Sequence, residues 1–313
     1  MRNRIANILR VAISVVGILV IVLTQDMGQV AQLIRGLDWW AFLGALSLLL
    51  LGALVRAYRW GCLVWALGIK ASWLRLTGLY FVGAFYNLFL PTGMGGDAIK
   101  MYELSRDDGR AASAISSVLV DRFLGLFVLL AMALLALVAS SELARPDVRI
   151  VIAVAFLGCL IGLGLLYQRT WIEAWGRRLR LDRLLGRVKI LREIYGSFHL
   201  YGGVALWRAT LASIVWNVIL ITSYRLLGLA VGIDLSLGAY VLLVPVISSL
   251  LLIPSLGGLG IREGATVLLF SRAGVAESQA LALAVAHDAT LIVTALIGAS
   301  IHVVQGVAGV RPK

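Results

Sequence analysis

Two short stretches of this 313-residue chain carry groups able to hold an anion in an apolar setting. The first is Pro91-Thr92-Gly93-Met94-Gly95-Gly96-Asp97, followed by Lys100. The second is Pro254-Ser255-Leu256-Gly257-Gly258-Leu259-Gly260, followed by Arg262 and Glu263. Proline and clustered glycines break a helix. The helix that restarts after each break presents backbone N–H groups whose partial positive charge favours a phosphate or carboxylate. Gly95, Gly96, Gly257, Gly258 and Gly260 let a ligand approach the backbone, or serve tight tips and close helix packing. Asp97 and Glu263 stand where a restarted helix is capped, or where access to an anion is tuned. Lys100, three residues after Asp97, and Arg262, beside Glu263, offset their charge. Asn87, just before the first break, is placed to pair with freed backbone.

Asp121-Arg122 and His287-Asp288 fall inside long apolar stretches. An ionisable group at mid-bilayer costs about 2.5–3.5 kcal/mol, so each needs a partner. Internal pairing satisfies that need, and so does a substrate path or proton relay in which His287 supplies the titratable ring. No Walker loop, zinc-type cluster or Ser-His-Asp arrangement is visible, so no cofactor, no metal and no enzymatic activity are expected. Cys62 and Cys159 sit in or beside apolar runs, which argues against a disulfide framework.

The elements that position these groups are membrane spans. The chain is 61% hydrophobic and 14% charged, where soluble domains run near one half and one quarter. The net charge of +12 gathers at the edges of apolar blocks, a topology signal rather than a nucleic-acid footprint. No stretch is polar enough for a separate soluble domain, so residues 1–313 form a single transmembrane domain. Residues 11–23 follow three arginines and lack a small-x-small cleavage site, so they are expected as a retained first span. Residues 39–55 form the second, closed by Arg56 and Arg59. Arg59 and Arg225 are candidate snorkelling anchors at span ends.

Full crossing by residues 73–90 would place residues 169–193 outside, with eight basic residues against three acidic ones. That contradicts the positive-inside rule. A re-entrant hairpin over 73–106 removes the conflict, because the arm 97–106 is about 15 Å long, half a bilayer. The same pattern returns as a span at 206–230, an arm at 235–253, a short arm at 262–272 and a last span at 280–304. Six full spans and two hairpins result, with both termini cytoplasmic. Residues 169–195, with Trp171, Trp175 and Leu179 at helical spacing, read as an interfacial amphipathic helix or as a basic loop that fixes topology.

The halves 1–145 and 146–313 share landmarks in order. Tyr58-Arg59, Gly68-Ile69, Pro91, Ser105-Arg106 and Asp121-Arg122 are answered by Tyr224-Arg225, Gly232-Ile233, Pro254, Ser271-Arg272 and His287-Asp288. Three crossings per half make the second copy inverted, with Lys70 answered by Asp234 on the opposite side. Inverted repeats with broken helices are a transporter plan with its site at the midplane.

Pro91-x-x-x-Gly95-Gly96-Asp97-x-x-Lys100, Asp121-Arg122 and Pro254-x-x-Gly257-Gly258-x-Gly260-x-Arg262-Glu263-Gly264 resemble the lysylphosphatidylglycerol synthase transmembrane family, also called the flippase-like domain family. The resemblance covers nearly the whole chain. In the best-known members this region is fused to a cytosolic aminoacyl-transfer domain, for which no segment is seen here. The resemblance therefore implies lipid translocation rather than lipid synthesis. Lys100 stands where the family often has Arg, and His287-Asp288 where a basic residue is expected.

The resulting expectation is an all-α polytopic inner-membrane lipid translocase working by alternating access. Lys100, Arg122 and Arg262, with Asn87 and the glycines, bind a phosphate-bearing headgroup. Asp97, Asp121, Glu263, His287 and Asp288 set gating or proton coupling. The expected partners are membrane lipids, either anionic phospholipid or polyprenyl phosphate, and enzymes of envelope biosynthesis. An ion-coupled transporter of a small solute and a non-transporting membrane partner of a lipid- or glycan-modifying enzyme are the rival readings.

Overall fold

The computed structural model describes residues 19, 23–89, 95–139, 146–167, 196–197, 200–250 and 258–308. Most of the first expected span at 11–23 lies outside them, as do both helix breaks at 91–94 and 254–257, Gly257 included, and the segment 169–195. The described residues are all-helical, with no strand. In chain order the helices are α1 (Met27–Arg35), α2 (Trp39–Ala66), α3 (Trp73–Phe89), α4 (Gly95–Asp108) and α5 (Ala111–Ala139). They continue with α6 (Pro146–Tyr167), α7 (Gly203–Ala230), α8 (Leu237–Leu250), α9 (Ile261–Arg272) and α10 (Glu277–Ala308).

Four helices are long and apolar enough to cross a bilayer: Trp39–Ala66, Ala111–Leu135, Gly203–Ala230 and Glu277–Val304. Four of the six expected full crossings are thus found among the described residues, while most of residues 11–23 lies outside them; helix α6 holds 22 residues, its described apolar stretch being Arg149–Gly162. Helices α3, α4, α8 and α9 hold 17, 14, 14 and 12 residues. At 1.5 Å per residue they measure about 25, 21, 21 and 18 Å, against a hydrocarbon core of about 30 Å.

Helix α2 departs most from expectation. Its 28 residues run about 42 Å, straight through Arg56 and Arg59, which hydropathy places at its end. Asp38 starts it, its carboxylate accepting the N–H groups of Trp40 and Ala41 at 2.9 and 3.3 Å. Asp26 starts α1 in the same way through Gly28 and Gln29. Two acids that count only as loop charge in the sequence are therefore helix N-caps. Gly68 ends α2 at φ 73° and Gly232 ends α7 at φ 78°, a left-handed turn that glycine adopts without penalty. The following Ile69 and Ile233 donate back to Val64 and Gly228 and are both buried.

Helix α2 lies along α7. Helix α3 packs on α4 and α10, while α8 packs on α9 and α5. Trp60, Leu76, Leu79, Leu104 and Val118 tie α2 to α5 into one core. Leu227, Tyr240, Phe270 and Leu281 tie α7 to α10 into another. Two crossings bring backbones together without intervening side chains. A Cβ on Gly96 would overlap the carbonyl oxygen of Gly83, and one on Gly298 would overlap that of Phe81. Small residues at membrane helix crossings permit such an approach.

Candidate functional site

Charged side chains collect where α2, α3, α4 and α5 converge. Arg59 of α2 and Asp121 of α5 are 3% and 2% exposed. The guanidinium grips the carboxylate with both prongs, Nε to Oδ1 at 2.7 Å and Nη2 to Oδ2 at 2.8 Å. Its third nitrogen, Nη1, reaches the Ser213 hydroxyl of α7 at 3.4 Å. Gly125, one turn beyond Asp121, makes room for the guanidinium, since a Cβ there would overlap Nη1 of Arg59. Arg59 is thus not a snorkelling anchor at a span end. It is a buried ion inside α2, stabilised because two charge-assisted bonds and opposite charge offset its desolvation. Arg225, its counterpart in α7, is exposed.

Next to this pair, Asp97 in the first turn of α4 joins two cations. It accepts from Lys100 at 2.7 Å and from Arg122 of α5. Asp97 and Lys100 are buried, whereas the Arg122 side chain is 39% exposed. The Lys100 ammonium also lies over the rings of Trp60 and Tyr80, at 5.3 and 5.1 Å from their centres. Asn87 of α3 accepts the Gly96 N–H at 2.7 Å. It therefore pairs with the backbone at the start of α4, and the Gly96 amide is already engaged within the protein. Gly95 is buried at the start of the same helix.

A second cluster forms between α9 and α10. Arg262 pairs with Asp288. Glu263 folds back to accept the Gly260 N–H at 2.6 Å, capping α9, so its carboxylate serves the helix start. Gly258 and Gly260 both have positive φ, 90° and 80°. His287 is buried and stacks on Tyr224 of α7 with ring centres 4.7 Å apart. Its Nδ1, like the hydroxyl of the buried Thr266, has no hydrogen-bond partner among the described residues.

The structure therefore sorts the expected site residues into two groups. Asn87, Gly95, Gly96, Asp97, Lys100, Asp121 and Arg122 belong to the first, and Gly258, Gly260, Arg262, Glu263, His287 and Asp288 to the second. Each of the three cations expected to face a phosphate already has a carboxylate partner within the chain, and Asp121 pairs with Arg59 rather than with its neighbour Arg122. Internal pairing is thus the arrangement found. Sequence reasoning missed the buried role of Arg59, its partners Ser213 and Gly125, and Arg56, whose guanidinium lies between the rings of Tyr80 and Trp216. A signal for Arg59 was present. It precedes Asp121 by 62 residues, the same interval that separates Arg225 from His287.

The family model described as the lysylphosphatidylglycerol synthase TM region matches residues 7–298. No curated protein and no solved structure matches the chain. With that match over most of its length, and with several helices able to cross a bilayer, this multi-pass membrane chain belongs to the lysylphosphatidylglycerol synthase transmembrane-region family.

Proposed function

We propose that this chain moves a phosphate-bearing lipid between the leaflets of the plasma membrane by alternating access, with no covalent step. The observation that carries the reading is the Asp97–Lys100–Arg122 cluster. It places two cations on one carboxylate at the start of a short helix, with Arg122 open to the outside of the fold. A phosphate recruited to that cluster would meet two cations that share one carboxylate, in a medium where ions need partners.

The architecture supports the same reading. Helices α3–α4 and α8–α9 pack as pairs and flank the two Pro/Gly breaks, as the arms of two re-entrant hairpins would. The packing is duplicated. Helix α2 meets α5 as α7 meets α10, and α3 lies on α10 as α8 lies on α5. Tyr58, Asp97, Ser105, Asp121 and Arg122 each have a counterpart 166 residues on, namely Tyr224, Glu263, Ser271, His287 and Asp288. An inverted repeat with both termini in the cytoplasm accounts for this pairing and for the charge of residues 169–193. In this reading Lys100 and Arg122 receive the phosphate, Asp97 releases them to it, and Glu263, His287 and Asp288 set gating in the second half.

The test is reconstitution into phosphatidylcholine vesicles carrying acyl-labelled fluorescent phosphatidic acid or phosphatidylglycerol in both leaflets. Dithionite quenches only the outer leaflet at first. Translocation predicts that quenching proceeds past one half, and that Lys100→Ala slows it. Quenching that halts at one half for both lipids, as in protein-free vesicles, refutes the proposal.

A further inference from the structure

Arg56 differs from the cations of the two charged clusters. Arg59, Lys100, Arg122 and Arg262 each hold a carboxylate of the chain. Arg56 makes no hydrogen bond and no ion pair with any described residue. Its guanidinium instead lies 5.0 Å from the centre of the Tyr80 ring on α3 and 4.7 Å from that of Trp216 on α7. The ring faces attract the charge, yet they offer no oxygen to the N–H groups. The Nε is sealed among these neighbours without a partner. The side chain as a whole is only half-buried, which leaves its two terminal nitrogens an opening.

Arg56 comes 17 residues after Trp39 in a helix of 28. At 1.5 Å per residue it stands about 25 Å from the first turn and about 15 Å from the last. That is roughly 10 Å inside a hydrocarbon core of about 30 Å centred on the helix. An ion at such depth needs a partner. Its surroundings have room for one from outside the chain. Among the described residues, α3 and α7 both pack on α2 and share no major contact with each other. The arginine stands in the cleft between them, flanked by one ring from each wall. Gly52, one turn earlier, keeps Trp216 close, because a Cβ there would overlap that ring. Tyr80 is shared with the neighbouring cluster. Its ring centre is 5.1 Å from the Lys100 ammonium, so Arg56 and Lys100 are no more than about 10 Å apart.

We propose that Arg56 is a binding site for the phosphate of a membrane lipid, a step between the leaflet on the Ala66 side of α2 and the Asp97–Lys100–Arg122 cluster. The guanidinium fork matches two phosphate oxygens. It meets a headgroup drawn roughly 10 Å into the core while the acyl chains stay in lipid. The headgroup then passes the Tyr80 ring to Lys100, exchanging one cation for the next instead of crossing bare hydrocarbon. This assignment rests on the lipid-translocase reading for the path, whereas the phosphate site itself does not require transport.

Phenylglyoxal, which modifies accessible guanidinium groups, reads the site on the full unaltered chain in detergent, with peptide mass mapping to locate the product. Arg56 should react in lipid-free protein. Phosphatidylglycerol should slow that reaction about tenfold, the scale of one charge-assisted contact. Diacylglycerol of the same acyl chains, oleate and inorganic phosphate at the same concentration should not. In native mass spectrometry Arg56→Gln should bind phosphatidylglycerol about tenfold more weakly and diacylglycerol as before. An Arg56 that resists the reagent without lipid, no protection by phosphatidylglycerol, equal protection by oleate or inorganic phosphate, or undiminished binding by Arg56→Gln overturns the proposal. In vesicles Arg56→Gln should slow the crossing of phosphatidylglycerol about tenfold. Crossing at the full rate in that variant takes Arg56 off the path and overturns the proposal, while leaving lipid translocation intact. Protection of Arg56 without any crossing by the unaltered chain leaves the phosphate site standing and removes the translocase reading instead.

Discussion

Asp121→Ala removes the only carboxylate that Arg59 grips among the described residues. The two bonds lost are 2.7 and 2.8 Å long, between groups 3% and 2% exposed. Hydrogen bonds to charged groups contribute about 1.5–3 kcal/mol each. Stranding one member of a buried ion pair costs about 3–5 kcal/mol, because the remaining charge stays desolvated. The Ser213 hydroxyl, at 3.4 Å, is too distant and too weakly polar to replace a carboxylate. The expected loss is therefore about 3 kcal/mol, on the order of a hundredfold in the unfolding equilibrium. Reversible unfolding in mixed micelles, titrated with a denaturing detergent, measures it. The double variant Arg59→Met with Asp121→Leu removes both charges and should recover at least half of the loss, since apolar replacements of buried pairs are often neutral. A single variant that loses less than about 1 kcal/mol, or a double variant no more stable than the single, refutes the account of α2 as a helix held through its charge by Asp121.

Gly96→Ala should lower stability by about 1–3 kcal/mol, because its Cβ meets the Gly83 carbonyl rather than a movable side chain; an unchanged melting temperature would contradict the close α3–α4 crossing. Glu263→Ala should cost about 1 kcal/mol by uncapping α9, whereas Glu263→Gln keeps an acceptor for the Gly260 N–H and should cost less; equal losses in thermal unfolding would refute the capping role. Asp97→Asn frees Lys100 and Arg122 from their shared counter-charge. Under the translocase reading the headgroup then binds tighter and leaves more slowly, so vesicle quenching should slow about tenfold while ligand binding strengthens; weaker binding in that variant would reverse the assigned roles.

Much of the fold was legible because apolar blocks, proline and glycine act locally. The arms expected at 73–90 and 262–272 appear as Trp73–Phe89 and Ile261–Arg272, and the last span expected at 280–304 as Glu277–Ala308. What escaped was decided at long range. Hydropathy treats a charge as a boundary, so Arg56 and Arg59 close a span. In the folded chain Asp121 meets Arg59 from another helix, and α2 continues to Ala66. Asp26 and Asp38 looked like mere loop charge because capping depends on where the helix starts, not on composition. The candidate site was legible as residue types but not as partners. Asp97, Lys100 and Arg122 come together, yet three-residue spacing alone does not reveal that one carboxylate serves both cations. Gly83 and Gly298 carried no signal at all, since a glycine that receives a neighbouring backbone looks like any other until the neighbour is placed.

Those bare crossings have a mechanical consequence. The carbonyls of Phe81 and Gly83 sit on the same stretch of α3, one pressed by Gly298 of α10 and the other by Gly96 of α4. Backbone against backbone leaves no rotamer to yield, so α3, α4 and α10 are keyed together like a tenon in its mortise. Rocking of one half against the other has no bearing surface there. The seam between α2 and α7 differs, because bulky, rotatable Trp216 rides over Gly52 there and a side chain can yield.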